Sequence, residues 1–225
     1  MILFVVADSY ENYCRGGSFF SICRTLEKLA GDACVMLHYT QLAPALLARL
    51  QPWAVCHSGA SADYQDYDVM ENRTYRAVVR KLTVPQIGFC GGHQILAHYF
   101  GSTVRPFRRL RPGEPDPAPH RPGVFKEWGV YPVRLLRTDP LFAGLDKVIR
   151  VQEYHTWEVK RLGRDLILLA SSAACRVQAF RHRLKPIYGT QFHPEQSPEA
   201  YPDGVRLLEN FFKLARAHQT AGTAP

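Results

Sequence analysis

The chain has 225 residues, 46% of them hydrophobic and 21% charged, with a formal net charge of +8 at neutral pH. That length suits one large domain with a substantial core, and the balance excludes a disordered or fibrous chain. Apolar runs such as ILFVV at the N-terminus are too short to span a bilayer, and this run has no basic leader or cleavage site, so neither a membrane span nor a signal peptide is expected. The positive excess lies mainly in 105–123 and 160–185 without aromatic residues interleaved among the basic ones, which favours a solvated surface over nucleic-acid binding.

In chain order, MILFVVADS reads as a buried central strand that turns polar. SFFSICRTLEKLAGD carries Phe19, Ile22, Cys23, Leu26 and Leu29 along one helical face and stops at Gly31. CVMLHY is a second strand, Thr40 an N-cap candidate for a helix through LAPALLARL, and WAVCHSG a third strand ending in a glycine loop. A helix over Asp68 to Leu82, the strand PQIGFC and the helix GHQILAHYFG follow. This alternation predicts an α/β fold, an open, mostly parallel sheet flanked by helices in the flavodoxin-like manner, with chemistry at the carboxyl ends of the strands.

After Gly101 the pattern changes. Residues 105–123 are crowded with proline and charge and read as an irregular, solvated surface loop. WGVYPVRLL, VIRVQEYHTWEV, DLILLASS and RVQAFRH predict a smaller antiparallel strand set in the second half, PIYGTQF another strand, and GVRLLENFFKLARAH a final amphipathic helix. The expected organisation is one domain over 1–217 with a flexible tail over 218–225.

Six cysteines, at 14, 23, 34, 56, 90 and 175, form no CxxC pair, so no metal is expected and reduced cysteines in a cytoplasmic protein are the simplest reading. Cys90 is different. PQIGFCGGHQILAHYF is a strand, a tight turn and a helix, with Gly88 two before the cysteine and Gly92 two after it. A nucleophile elbow has this form, and the helix N-terminus favours a thiolate there. A catalytic cysteine needs a base and a group that orients the base. IYGTQFHPEQ offers both, because His193 and Glu195 project to the same side of an extended chain.

The paired motifs, GxCxGxQ in Gly88 to Gln94 and QFHPE in Gln191 to Glu195, resemble those of the class I glutamine amidotransferases, the triad-type glutaminases. The resemblance extends from the first strand to the last helix and implies a Cys-His-Glu triad of Cys90, His193 and Glu195. It implies attack on the side-chain amide of L-glutamine through a γ-glutamyl thioester. It also implies ammonia delivery to a separate synthase or ligase, with no cofactor. The oxyanion donors would be the amide of Gly91 and that of Gly59, or of Ala60 if the register is shifted by one. Gln94 matches the family glutamine that helps hold substrate, and Thr156 and Trp157 match the segment that contacts its α-amino and α-carboxylate groups. A γ-glutamyl hydrolase and a non-catalytic regulatory subunit of the same fold are the competing readings. Segment 105–123 could dock a synthase, although a solvated loop is favoured.

Overall fold

The computed structural model describes residues 1–222. In chain order the elements are β1 (Ile2–Val6), α1 (Tyr10–Arg15), α2 (Gly17–Ala30), β2 (Cys34–His38), α3 (Pro44–Leu50), β3 (Ala54–His57), α4 (Arg73–Lys81), β4 (Gln86–Phe89), α5 (Gly91–Tyr99), β5 (Thr103–Pro106), β6 (Glu127–Leu135), β7 (Val148–His155), β8 (Trp157–Arg161), β9 (Leu166–Ser171), β10 (Ala179–His182), β11 (Ile187–Thr190) and α6 (Asp203–Gly222). One nine-stranded sheet runs β2-β1-β3-β4-β11-β10-β9-β6-β7. From β2 to β11 the strands are parallel, and from β11 to β7 they are antiparallel.

The parallel half forms because its strands are buried on both faces. Ile2, Phe4 and Val6 of β1 enter a core with Ile22 and Leu26 of α2 and Phe211 of α6. Leu3 and Val5 enter a second core with Tyr75 and Val79 of α4 and Leu96 and Tyr99 of α5. The alternation of side chains along a strand assigns these residues to opposite faces. Complete burial of each large side chain contributes roughly 1.5–3 kcal/mol, and β1, like β3 and β4, is buried at every residue.

Several sequence expectations are corrected here. Thr40 is not a helix N-cap: it lies in a 3-10 turn over Tyr39–Gln41 capped by His38, and α3 begins at Pro44 after Ala43. The helix expected from Asp68 starts at Arg73, because Asn72 caps the Tyr75 amide while Asp68 binds the Tyr39 hydroxyl and the Asn72 side chain. The polar stretch after β1 forms α1, capped by Ser9 on the Asn12 amide. VIRVQEYHTWEV is not one strand. It breaks at Thr156 into β7 of the main sheet and β8, which pairs with β5 in a separate two-stranded ribbon. The expected tail starts inside α6, where 218–222 remain helical, and 223–225 lie outside the described residues.

Segment 105–123 is exposed over most of its length, as expected of a solvated loop, but a few of its residues turn inward. Its first residues belong to β5, Phe107 and Ala118 are buried, and His120 and Arg121 lie beside the β7–β8 junction. The physical reason is Lys126. Its fully buried ammonium donates to the carbonyls of Ala118, His120 and Arg121 and pairs with Asp116 at 2.6 Å. A buried cation needs this many oxygens, and the chain must wrap around it to supply them.

Candidate active site

Cys90 sits directly after β4, at the carboxyl end of the parallel sheet and at the N-terminus of α5. Its backbone has φ 46° and ψ −101°, a conformation that costs a non-glycine residue of order 1–3 kcal/mol. Two things hold it there. The Cys90 amide donates to Thr190 O at 2.8 Å, so the end of β11 pins the turn. The flanking glycines let strand and helix approach: a Cβ on Gly88 would lie 2.5 Å from the Gly92 carbonyl carbon, and one on Gly92 would lie 2.5 Å from His57 O.

His193 and Glu195 arrive from the next strand. β11 ends at Thr190, the His193 amide donates to Gln152 O at 2.8 Å, and Glu195 lies in a 3-10 turn over Pro194–Gln196. His193 Nδ1 stands 2.7 Å from Glu195 Oε1, with both side chains largely withdrawn from water. The imidazole also lies beside Cys90. Burial by itself would lower the His193 pKa, but the charges of Glu195 and of a Cys90 thiolate outweigh it and hold the imidazole well above its ordinary value. Gly59 borders the gap between the two groups, since a Cβ there would lie 3.0 Å from His193 Cε1 and 3.7 Å from Cys90 Cβ.

The loop after β3 approaches the elbow closely. A Cβ on Gly91 would lie 2.6 Å from Ala60 N. Ala60 N thus lies against the first residue of α5, and Ala60 lines the same cavity as Cys90. Asp8, at the end of β1, organises this loop. Its buried carboxylate accepts from Ser61 N at 2.8 Å, Ser61 Oγ at 2.9 Å and Ala62 N at 3.1 Å.

Gln94 is anchored on all sides. Its Nε2 donates to Trp157 O at 2.8 Å and to Gln191 Oε1 at 3.0 Å, and its Oε1 accepts from the Tyr64 hydroxyl at 2.7 Å. Gln191 in turn directs Nε2 at Cys90 Sγ, 3.7 Å away. Thr156 and Trp157 line the same small cavity as Cys90 and Gln94, of about 30 Å³, next to a second of about 190 Å³ bordered by Gly59, His193 and Glu195. Their backbone carbonyls are engaged within the protein: Thr156 O accepts from Phe107 N, and Trp157 O from Gln94 and His155.

Comparison with known proteins agrees with this arrangement. The family model described as Glutamine amidotransferase class-I matches residues 17–215. The chain belongs to the class-I glutamine amidotransferase family. Among curated relatives it is 30% identical over 204 residues to the glutamine-hydrolyzing GMP synthase subunit of Thermococcus kodakarensis, covering 89% of this chain and 95% of that one. The protein of the same name from Archaeoglobus fulgidus is 35% identical over 138 residues, 61% of this chain and 66% of that one. A GMP synthase subunit protein of known crystal structure, from Thermoplasma acidophilum, superposes with a TM-score of 0.78 at 26% identity, covering 100% of this chain and 98% of that one.

Sequence reasoning about this amidotransferase missed the residues that hold the site. Asp8, Tyr64, Gln191 and the cluster around His155 lie far apart in the chain. The one signal available was a run of polar residues at strand ends where a core strand should stay apolar. His155 Nε2 stands 3.0 Å from Glu127 Oε2 and 3.3 Å from Glu153 Oε2, and its Nδ1 stands 2.9 Å from Trp157 O. Burial opposes the charged form, but the two carboxylates raise the His155 pKa well above its ordinary value. Both ring nitrogens face oxygen acceptors. Glu127, His155 and Cys175 converge within 4.8 Å, and the contacts of His155 with Glu127, Glu153 and Trp157 O tie the β7–β8 junction to β6. His93, two residues after Gly91, packs on Phe180, and burial brings its pKa down to about 3, so it is neutral filling beneath the elbow. Among the described residues no helix is long and apolar enough to cross a membrane.

Proposed function

We propose that this chain is the glutaminase subunit of a two-component amidotransferase, with Cys90, His193 and Glu195 as its triad, and that it supplies ammonia to a separate synthase. The observation that carries this reading is the convergence of a strained Cys90, the His193–Glu195 pair at 2.7 Å and the Ala60 amide at one end of the sheet. In the reaction, the Cys90 thiolate adds to the amide carbon of L-glutamine, and the oxyanion is met by the amides of Gly91 and Ala60, with Gly59 leaving room between sulfur and imidazole. The His193 imidazolium gives its proton to the departing nitrogen, which leaves as ammonia. His193 then takes a proton from water, the resulting hydroxide cleaves the γ-glutamyl thioester, and glutamate departs as the thiolate and imidazolium are restored. Glu195 keeps the proton on Nδ1, so that Nε2 performs both transfers. Gln94 acts through Gln191 and through the Trp157 carbonyl to position the sulfur and the substrate-facing strand.

The names of the relatives make a GMP-forming synthase the acceptor to test first. The chain would be combined with a purified synthase subunit, and glutamine labelled with ¹⁵N at the side-chain amide would be followed into GMP. Label in GMP that disappears with Cys90→Ala, while free ammonia still supports synthesis, is the expected result. Rapid cleavage of γ-glutamyl amines beside negligible glutamine turnover, with synthase present, would replace this reading by that of a γ-glutamyl hydrolase.

A further inference from the structure

The strap tied to Lys126 carries a cation into the cavity that holds Cys90. Arg121 lines this cavity together with Tyr64, Cys90, Gln94, Thr156 and Trp157. Its guanidinium lies 5.8 Å from the centre of the Trp157 ring and pairs with Asp63 at 2.9 Å. The backbone at Arg121 adopts φ 50°, and its carbonyl is one of the three that cap the Lys126 ammonium. The strap is thus built to hold this side chain in place.

None of the twelve residues that line the cavity is a carboxylate, and Arg121 supplies its permanent charge. A second polar group there lacks a partner: Trp157 Nε1 is buried without a hydrogen bond. A cavity with a reactive sulfur, a guanidinium and an unpaired N–H, and no acidic group on its wall, suits a ligand with an acyl group and a separate carboxylate. The planar guanidinium has five donors in a fork that matches a carboxylate, more than one carboxylate partner can take up.

We propose that Arg121 is the residue that recognises the α-carboxylate of the amide substrate, making the site selective for the free amino acid over amides that lack this group. The proposal rests on the glutaminase reading above and adds to it the group that reads the substrate's far end. Asp63 has a supporting role: it orients the guanidinium toward the cavity before substrate arrives and shares it afterwards.

The test uses this chain with its synthase subunit and two substrates, L-glutamine and 4-aminobutanamide, which is glutamine without the α-carboxylate. Wild-type protein, Arg121→Met and Arg121→Lys are compared for kcat and KM, each checked for an unchanged melting temperature. Loss of a charge-assisted, partly buried contact predicts that Arg121→Met raises KM for glutamine about 10- to 100-fold, with kcat altered far less. KM for 4-aminobutanamide stays within about twofold, so the discrimination ratio collapses, and Arg121→Lys restores part of it. If Arg121→Met lowers turnover of both substrates by the same factor, or leaves the ratio intact, Arg121 does not read the carboxylate and the proposal fails, while the glutaminase reading stands. If wild-type protein with its synthase turns over no glutamine, that reading falls first, and this proposal with it.

Discussion

Replacing Glu195 by Gln tests the proton path most directly, because the substitution keeps shape and removes one charge. In the structure, Glu195 Oε1 is 2.7 Å from His193 Nδ1, while Oε2 is buried without a partner. A Gln side chain has two placements, and neither suits the site. With its oxygen toward Nδ1 the contact survives, but the amide N–H groups occupy the Oε2 position, where no acceptor is present. With its nitrogen toward Nδ1 the imidazole must accept there, which puts the proton on Nε2 and removes the base that faces Cys90. Putting the imidazole of a nucleophile-His-acid triad in the wrong tautomer lowers turnover by up to about 10⁴-fold, so a drop of about 10²- to 10⁴-fold in kcat/KM is expected here, where one of the two placements keeps the contact. The pH profile supplies an independent signature. Glu195 is a cause of the raised His193 pKa, so its neutralisation lowers that pKa. The alkaline limb of kcat/KM, where the proton needed by departing ammonia is lost, moves to lower pH. The assay is ammonia release from glutamine with the synthase present, between pH 5 and 10. Activity within threefold of wild type with an unmoved alkaline limb would refute the assigned role of Glu195.

Other outcomes follow from the same geometry. Asp8→Asn weakens the acceptor that holds Ser61 N, Ser61 Oγ and Ala62 N; a loosened oxyanion loop should lower kcat about 10- to 100-fold with little change in KM, measured by steady-state kinetics. Gly92→Ala would put a Cβ 2.5 Å from His57 O, a backbone atom of the central sheet, so urea unfolding should show destabilisation of about 1–3 kcal/mol or more, or no soluble protein. His155 has a folded-state pKa raised above its ordinary 6.5, so the stability it contributes is fully present below about pH 6.5 and is lost as pH rises through the raised value. Thermal melts of wild type should therefore fall at alkaline pH, and His155→Gln should be destabilised near neutrality and flatten that fall. Lys126→Ala leaves three carbonyls and Asp116 without their cation; the melting temperature should fall, and limited trypsin digestion should cut faster after Arg108 and Arg109, since Arg111 and Arg121 precede proline.

The corrected elements have physical causes in common. Helices and strands with strong periodicity, such as SFFSICRTLEKLAGD and ILFVV, formed where expected because local spacing alone decides which face is buried. Boundaries failed where one polar side chain had several partners to choose from. Asp68 could have capped a helix, yet it bonds Tyr39 and Asn72, and Asn72 caps α4 instead. Thr40 lost the same competition to the His38 side chain and to Pro44, which fixes the start of α3.

The sequence by itself determined the parallel α/β half, the strand-turn-helix around Cys90 and the pairing of His193 with Glu195, because each rests on neighbours within a few residues. Tertiary structure alone decided what surrounds them. A carboxylate at the end of β1 organises a loop more than fifty residues away, a glutamine one hundred and one residues from Cys90 reaches its sulfur, and a proline-rich segment brings His120 and Arg121 to the site. That segment looks solvated in the sequence because its composition is polar. What turns part of it inward is a single lysine three residues beyond its end, whose buried charge is stable only when distant carbonyls gather around it.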